Sequence, residues 1–371
     1  MTTESGQDAS RPGAQFDAAI GVLESAIGQR AFPGCAFGVL SGGKVVLSGA
    51  RGRFTYEDQS PEVSAETVFD VASITKVAAT TAMAMLLYQR GQIDIDMPLG
   101  EILPGFVIGR PAGDLARHVK LRHLLAHSSG LPGIVPFFKS TQSPARLFQS
   151  CLELPLETEP GTRAEYSDPG FILLGKALEV VAGSSLARWT HREIYARLGM
   201  GATRFSPTLR SRPSIPPTEV DEAWRHRVIQ GEVQDENASV LGGVAGHAGL
   251  FSNVGDLLRL AGAILGAQGN AGPESSSLFE RSTVEFFAKR QDPQGSSRAL
   301  GWDTPSENST SGRHFSSHSI GHLGFSGCSL WIDLKSHIAV VLLTNRTWPD
   351  RSCRLIREVW PVFHDAVRDA L

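Results

Sequence analysis

The chain has 371 residues, 41% apolar and 20% charged, with a formal net charge of −3. That apolar share excludes a disordered chain, and the length sets a prior of about two domains of roughly 150 residues each. The near-neutral balance offers no electrostatic footprint for a polyanion, so neither nucleic acid nor an anionic membrane is an expected partner.

The start, Met1-Thr2-Thr3-Glu4-Ser5, has no basic stretch and no apolar segment behind it, so a secretory signal is not expected. Cys35, Cys151, Cys328 and Cys353 are scattered and read as reduced thiols of a cytoplasmic protein. No stretch reaches the ~18 continuous apolar residues of a membrane span. Residues 16–27 carry apolar side chains at helical spacing. Two short apolar runs, 35–40 and 44–48, joined by Ser41-Gly42-Gly43, read as a β-hairpin. Residues 52–66 read as a loop. Residues 73–88 are Ala- and Met-rich without Pro or Gly and predict one buried helix, ended by Gly91. Helical pieces follow at 120–127, 171–182 and 186–198, between Pro/Gly-rich loops, and 206–237 reads as a charged, Pro-punctuated loop. A helix is expected at 256–265, strands at 329–333 and 338–344, and a last helix at about 352–367 with Pro361 as its weak point. Strands at both ends and helices between them imply a sheet built from both ends (1–80 with 240–371) and a mostly helical insert (81–239).

The first chemical constellation is Ser73-Ile74-Thr75-Lys76 at the start of the buried helix. Helical i, i+3 spacing puts the Lys76 amine beside the Ser73 hydroxyl. A serine attacks well only when a neighbour takes its proton. On an apolar helix desolvation disfavours the ammonium, so Lys76 is expected to have a lowered pKa and to act as a base. A second string, Ser41-Gly42-Gly43-Lys44, lies in the hairpin turn, where no helical face unites the two side chains. Tyr166-Ser167-Asp168 sits in a Pro/Gly-bounded loop, and its phenol could move a proton if a nearby cation lowers its pKa. His322-Leu323-Gly324, followed by Phe325-Ser326-Gly327, reads as a sheet-edge strand whose glycines permit close approach to a ligand.

Other chemistries fit less well. His123 and His127 are i, i+4, but Leu124 stands where a zinc protease needs Glu. His314, His318 and His322 lie four apart in a Ser/Gly-rich setting where that spacing does not converge. No intact G-x-S-x-G exists for an α/β-hydrolase. His247 lines the site or is a loop histidine, and Asp235-Glu236-Asn237 reads as solvated surface. No metal or other cofactor is expected.

Together the Ser73–Lys76, Tyr166–Asp168 and His322–Gly324 strings resemble the serine β-lactamase and penicillin-binding-protein-like hydrolases, most closely their class C β-lactamase and esterase branch. The strings Leu121 to Pro132 and Gly242 to Ser252 fit the same resemblance, which covers roughly 15–365. It implies an α+β fold, an antiparallel sheet flanked by helices with an inserted mostly helical domain. It implies Ser73 as acylated nucleophile, Lys76 in its proton network, Tyr166 as general base, and the Ser73 and Phe325 N–H groups as oxyanion hole. Gly324 and His247 would line the substrate. Asp168 replaces the usual Asn and cannot donate its amide hydrogen bond, but could pair with Lys76. His322 replaces a permanently charged Lys, which makes carboxylate recognition pH-dependent. Both changes argue against efficient β-lactam hydrolysis. The expected function is therefore hydrolysis of small carboxylic esters or amides through an acyl-enzyme. The loop 231–237 resembles relatives linked to cytoplasmic recycling of cell-wall fragments, which keeps an amidase as the alternative. Acyl transfer and a non-catalytic binding module on the same scaffold also stay open. Oligomeric state is not readable.

Overall fold

A computed structural model describes residues 14–270, 278–291, 293–307 and 309–371. Among the described residues ten strands follow in chain order: β1 Gly34–Ser41, β2 Lys44–Gly52, β3 Phe69–Asp70, β4 Arg204–Phe205, β5 Glu219–Asp221, β6 Arg227–Ile229, β7 Leu250–Ser252, β8 Ser319–Leu323, β9 Ser329–Asp333 and β10 Ile338–Thr344. The main sheet is antiparallel in the order β2-β1-β10-β9-β8, so the chain's two ends do build it together. Register pairs Gly38 with Val341, Val341 with Leu330, and Leu330 with His322.

Both faces of this sheet are covered. Side chains alternate along a strand. Phe37, Val39, Trp331, Val340 and Leu342 therefore pack against the helices Asp17–Gly28 and Ile356–Asp369. Ala36, Leu40, Leu330, Val341 and Leu343 point to the other face, toward Leu257, Leu258 and Ala261 of the helix Val254–Leu265. Double burial explains why 338–344 reads as an unbroken apolar run. The last helix runs through Pro361. On the Val254–Leu265 side the apolar core continues without a break into the middle of the chain, through Leu121, Leu124, Phe171 and Leu174. Among the described residues no single helix is long and apolar enough to cross a membrane.

Two expectations are corrected. Residues 73–88 are not one α-helix. The chain passes through a 3-10 turn, Ala72–Ile74, and a π-helical stretch, Lys76–Thr81, before the α-helix Ala82–Gln89. Side-chain bonds compete with the regular ladder there. Thr75 Oγ1 donates to Ala72 O (2.6 Å) and accepts from Leu250 N–H (3.0 Å), and Thr80 Oγ1 donates to Gly246 O (2.7 Å). Segment 206–237 is not plain loop, because it holds the β5–β6 hairpin and the start of the helix Glu236–Val240. The helices Pro144–Glu153 and Arg281–Ala288 were not read from the sequence.

Candidate active site

Strand β3 pairs with β7, then the chain turns sharply at Ala72 (φ 46°), a conformation that strains an L side chain. Asp70 holds the turn. Its Oδ1 accepts the Ala72 N–H (2.9 Å) and its Oδ2 the Gln234 N–H (2.8 Å). Burial pushes this carboxyl up to about 6, against the pull of those two amides. Ser73 follows, half-buried, in the three-residue turn.

Lys76 is fully buried, and all three of its N–H donors are engaged. They reach Ser73 Oγ (3.0 Å), Asp168 Oδ1 (2.8 Å) and the His247 carbonyl (3.1 Å). The expected pKa is corrected. Desolvation lowers it, but the carboxylate of Asp168 and the phenol of Tyr166 outweigh that, and Lys76 is held above its ordinary value as an ammonium. Asp168 thus takes the pairing its carboxylate allows.

Tyr166 lies over the ammonium, with Lys76 Nζ 4.7 Å from the ring centroid. Burial pushes its phenol above the ordinary value, and the nearby cation pulls back without cancelling that. A cation-activated phenolate is therefore not the resting form. The ring packs 4.6 Å from that of His127 and 6.0 Å from that of His322. His127 Nδ1 accepts the Ser167 N–H (3.0 Å), so this imidazole braces the loop bearing Tyr166. Desolvation holds it well below the usual histidine range. His123 serves elsewhere, accepting the Lys120 N–H at its own helix start (3.2 Å).

The turn after β8 is tied to the nucleophile's approach strand. Ser326 Oγ donates to Asp70 O (2.8 Å). A Cβ on Gly324 would come within 2.5 Å of Val71 O, so only glycine admits this approach. The contact sets the Phe325 backbone beside the Ser73 turn, with its side chain 49% exposed at the rim and the Arg346 guanidinium 4.4 Å from its ring. His322 is buried, and its Nδ1–H donates to Leu323 O (2.8 Å). Desolvation, with Lys76 and Arg298 adding to it, lowers its pKa to about 3. The expectation of a pH-switched cation at His322 is corrected: near neutrality it is an uncharged imidazole. His314 pairs with Asp369 and His318 is exposed, so neither joins it.

His247 contributes its carbonyl to Lys76 and its Nε2 to Asp235 Oδ1 (2.8 Å). This overturns the reading of 235–237 as solvated surface. Half-buried Asp235 is held below the usual carboxylate range by His247 and the Ala238 N–H. Asn237 clamps Phe138 N–H (3.0 Å) and Val135 O (2.7 Å). Sequence reasoning missed Asp70, Asp235 and Arg298 at this site. Only the Asp70 spacing to Ser73 carried any local signal.

An antiparallel sheet with helices on both faces and a Ser-x-x-Lys turn beside its edge strand is the architecture of β-lactamase and transpeptidase-like serine hydrolases. The chain belongs to the Beta-lactamase family, whose family model matches residues 16–360. It is 31% identical over 350 residues to the N-acetylmuramyl-L-alanine amidase of Bacillus subtilis (strain 168), covering 85% of this chain and 77% of that one. Among solved structures it is similar to EstCE1, "a hydrolase with promiscuous acyltransferase activity" (TM-score 0.75, 21% identity, 95% and 98% covered). It is also similar to a penicillin-binding protein homologue from Caulobacter crescentus (TM-score 0.75, 18% identity, 96% and 98% covered). The protein is a serine hydrolase of this family.

Proposed function

We infer that the protein cleaves small carboxylic esters or amides through an acyl-enzyme on Ser73. The observation that carries this is the buried Lys76 ammonium, bonded at once to Ser73 Oγ, Asp168 and the His247 carbonyl under the Tyr166 ring. As Ser73 attacks the acyl carbon, Lys76 passes one proton to Asp168 and receives the hydroxyl proton of Ser73. Tyr166, a neutral phenol, protonates the leaving alkoxide or amine and recovers its proton from Lys76, and Asp168 then returns its proton to Lys76. Backbone N–H groups of Ser73 and Phe325 receive the oxyanion. Water then repeats the sequence on the acyl group. The test is hydrolysis of p-nitrophenyl butyrate with intact-mass analysis after a fluorophosphonate. Wild type turns over and gains one adduct on the Ser73 peptide, while Ser73→Ala does neither. Equal rates for the two proteins would remove the reading.

The name of the Bacillus subtilis relative favours a second substrate class, amides of cell-wall-fragment type. A panel of esters, D-amino-acid amides, muramoyl-L-alanine amides and nitrocefin separates the classes. Nitrocefin is expected to be a poor substrate, since Asp168 lacks the amide donor and His322 the charge.

A further inference from the structure

Asp235 stands in the wall of the site with half of its carboxylate unspent. Its Oδ1 accepts the Ala238 N–H (2.7 Å) and pairs with His247 Nε2 (2.8 Å). Among the described residues its Oδ2 has no hydrogen-bond partner, and 31% of the side chain is exposed. The contacts that place Asp235 lead to the nucleophile. The N–H of its neighbour Gln234 is held by Asp70 Oδ2, three residues ahead of Ser73, and the carbonyl of its partner His247 holds Lys76 Nζ. His247 and the Ala238 N–H, with Lys76 behind them, keep the carboxylate ionised.

The wall around that oxygen is fixed and partly aromatic. Arg225 donates to the Val233 and Gln234 carbonyls (2.9 and 2.7 Å), and Asn237 Oδ1 accepts the Phe138 N–H (3.0 Å). The rings of Phe138 and Trp224, both half-buried, meet edge to face with centroids 5.2 Å apart. An ionised oxygen with no protein donor calls for a donor from outside. A substrate ammonium suits it poorly, because the charge of Lys76 already acts on Asp235 and repels a second cation. A substrate carboxylate is repelled by Asp235 itself. An uncharged hydroxyl or amide N–H meets neither obstacle. Aromatic rings with one placed polar group suit a ring that is apolar on its face and hydroxylated at its edge.

We propose that Asp235 Oδ2 accepts a hydrogen bond from an uncharged, hydroxylated ring of sugar type that the substrate carries beside the cleaved bond, with Phe138 and Trp224 packing against that ring. This rests on the reading of Ser73 as nucleophile, and it names the group which that site selects.

The experiment uses matched substrate pairs. N-acetylmuramoyl-L-alanine against 2-methoxypropionyl-L-alanine puts the sugar on the acyl side, read as alanine release. Glucose 6-butyrate against cyclohexylmethyl butyrate puts it on the leaving side, read as butyrate release. Butyrylcholine against 3,3-dimethylbutyl butyrate puts a cation there instead. The quantity read is the ratio of kcat/KM for the first member of each pair to that for the second. Asp235→Asn keeps one oxygen for Ala238 and His247 and turns the free oxygen into N–H₂. It is expected to lower the ratio about 10- to 100-fold in at least one sugar pair. Phe138→Leu, which removes the ring and keeps an apolar side chain, is expected to lower the same ratio about threefold. A purely structural role would slow both members alike. A sugar ratio unmoved by Asp235→Asn in both pairs, or unmoved by Phe138→Leu in the pair that Asp235→Asn affects, overturns the proposal. So does a fall in the butyrylcholine ratio larger than in either sugar pair. If Asp235→Asn does not fold, Phe138→Leu decides alone. Ser73→Ala is run beside them. If it still hydrolyses the substrates, the nucleophile reading has failed. If it is inactive while Asp235→Asn keeps the wild-type sugar ratios, the Asp235 proposal alone has failed.

Discussion

Asp70 binds three parts of the site from one position. Its carboxylate holds the strained Ala72 turn and the Gln234 loop, and its carbonyl holds Ser326 of the turn that carries Phe325. Asp70→Asn presents an N–H₂ where a backbone N–H needs an acceptor, which costs roughly 1–3 kcal/mol for the buried donor left unpaired. The nucleophile is then aimed less well. Pre-steady-state acylation by p-nitrophenyl butyrate is expected to slow about 10-fold, since small misplacements are costly in an oriented site. Wild-type acylation should also weaken as pH falls through about 6, where Asp70 takes up its proton, and the variant should lack that limb. A variant that acylates at the wild-type rate would show that the turn needs no such brace.

Elements meet at this site through glycine. The helix Asp168–Ala182 crosses the 242–249 strand approach at Gly175 and Gly246, where a Cβ on Gly246 would collide with Phe171 O. That contact lets Gly246 O accept Thr80 Oγ1 and lets the His247 carbonyl reach Lys76. Gly246→Ala forces backbone apart and is expected to cost about 1–3 kcal/mol or more, with a lower melting temperature and slower turnover. Gly21, on the exposed face of the helix Asp17–Gly28, leaves open space where an alanine methyl would stand, with no atom within 4 Å of it. There, Gly→Ala should stabilise by about 0.5–1 kcal/mol and leave activity unchanged. Thermal melts of the two variants side by side test the contrast. The same division governs what the chain discloses of its elements. Strands β9 and β10 were readable because burial on both faces makes an apolar run. The nucleophile helix was misread because Thr75 and Thr80 bond to distant backbone, which no periodicity records.

The whole molecule stores acid sensitivity in buried imidazoles. Desolvation lowers His322 to about 3 and His364 to about 4. Between those values and the ordinary 6.5 the unfolded chain binds more protons, so their contribution to stability is present above that range and is lost as pH falls through it. Asp70 works the other way, because its raised pKa favours the folded state on acidification and partly offsets the loss. Denaturant titrations at pH 7 and pH 4.5 should show a fall of roughly 2–3 kcal/mol per buried imidazole before that offset. A stability that rises on acidification would contradict this balance.

Local chemistry is written along the chain, so the sequence alone determined the Ser73–Lys76 spacing, the hairpin at Gly42-Gly43, the two-ended sheet and the family resemblance. Charge state and partnership depend on what surrounds a group in space. Only the tertiary structure could decide that Asp168 keeps Lys76 an ammonium, that burial keeps His322 neutral, and that a guanidinium 132 positions away in the chain faces Tyr166 (298 − 166). Solvation and Coulomb energies follow distance and burial rather than sequence separation.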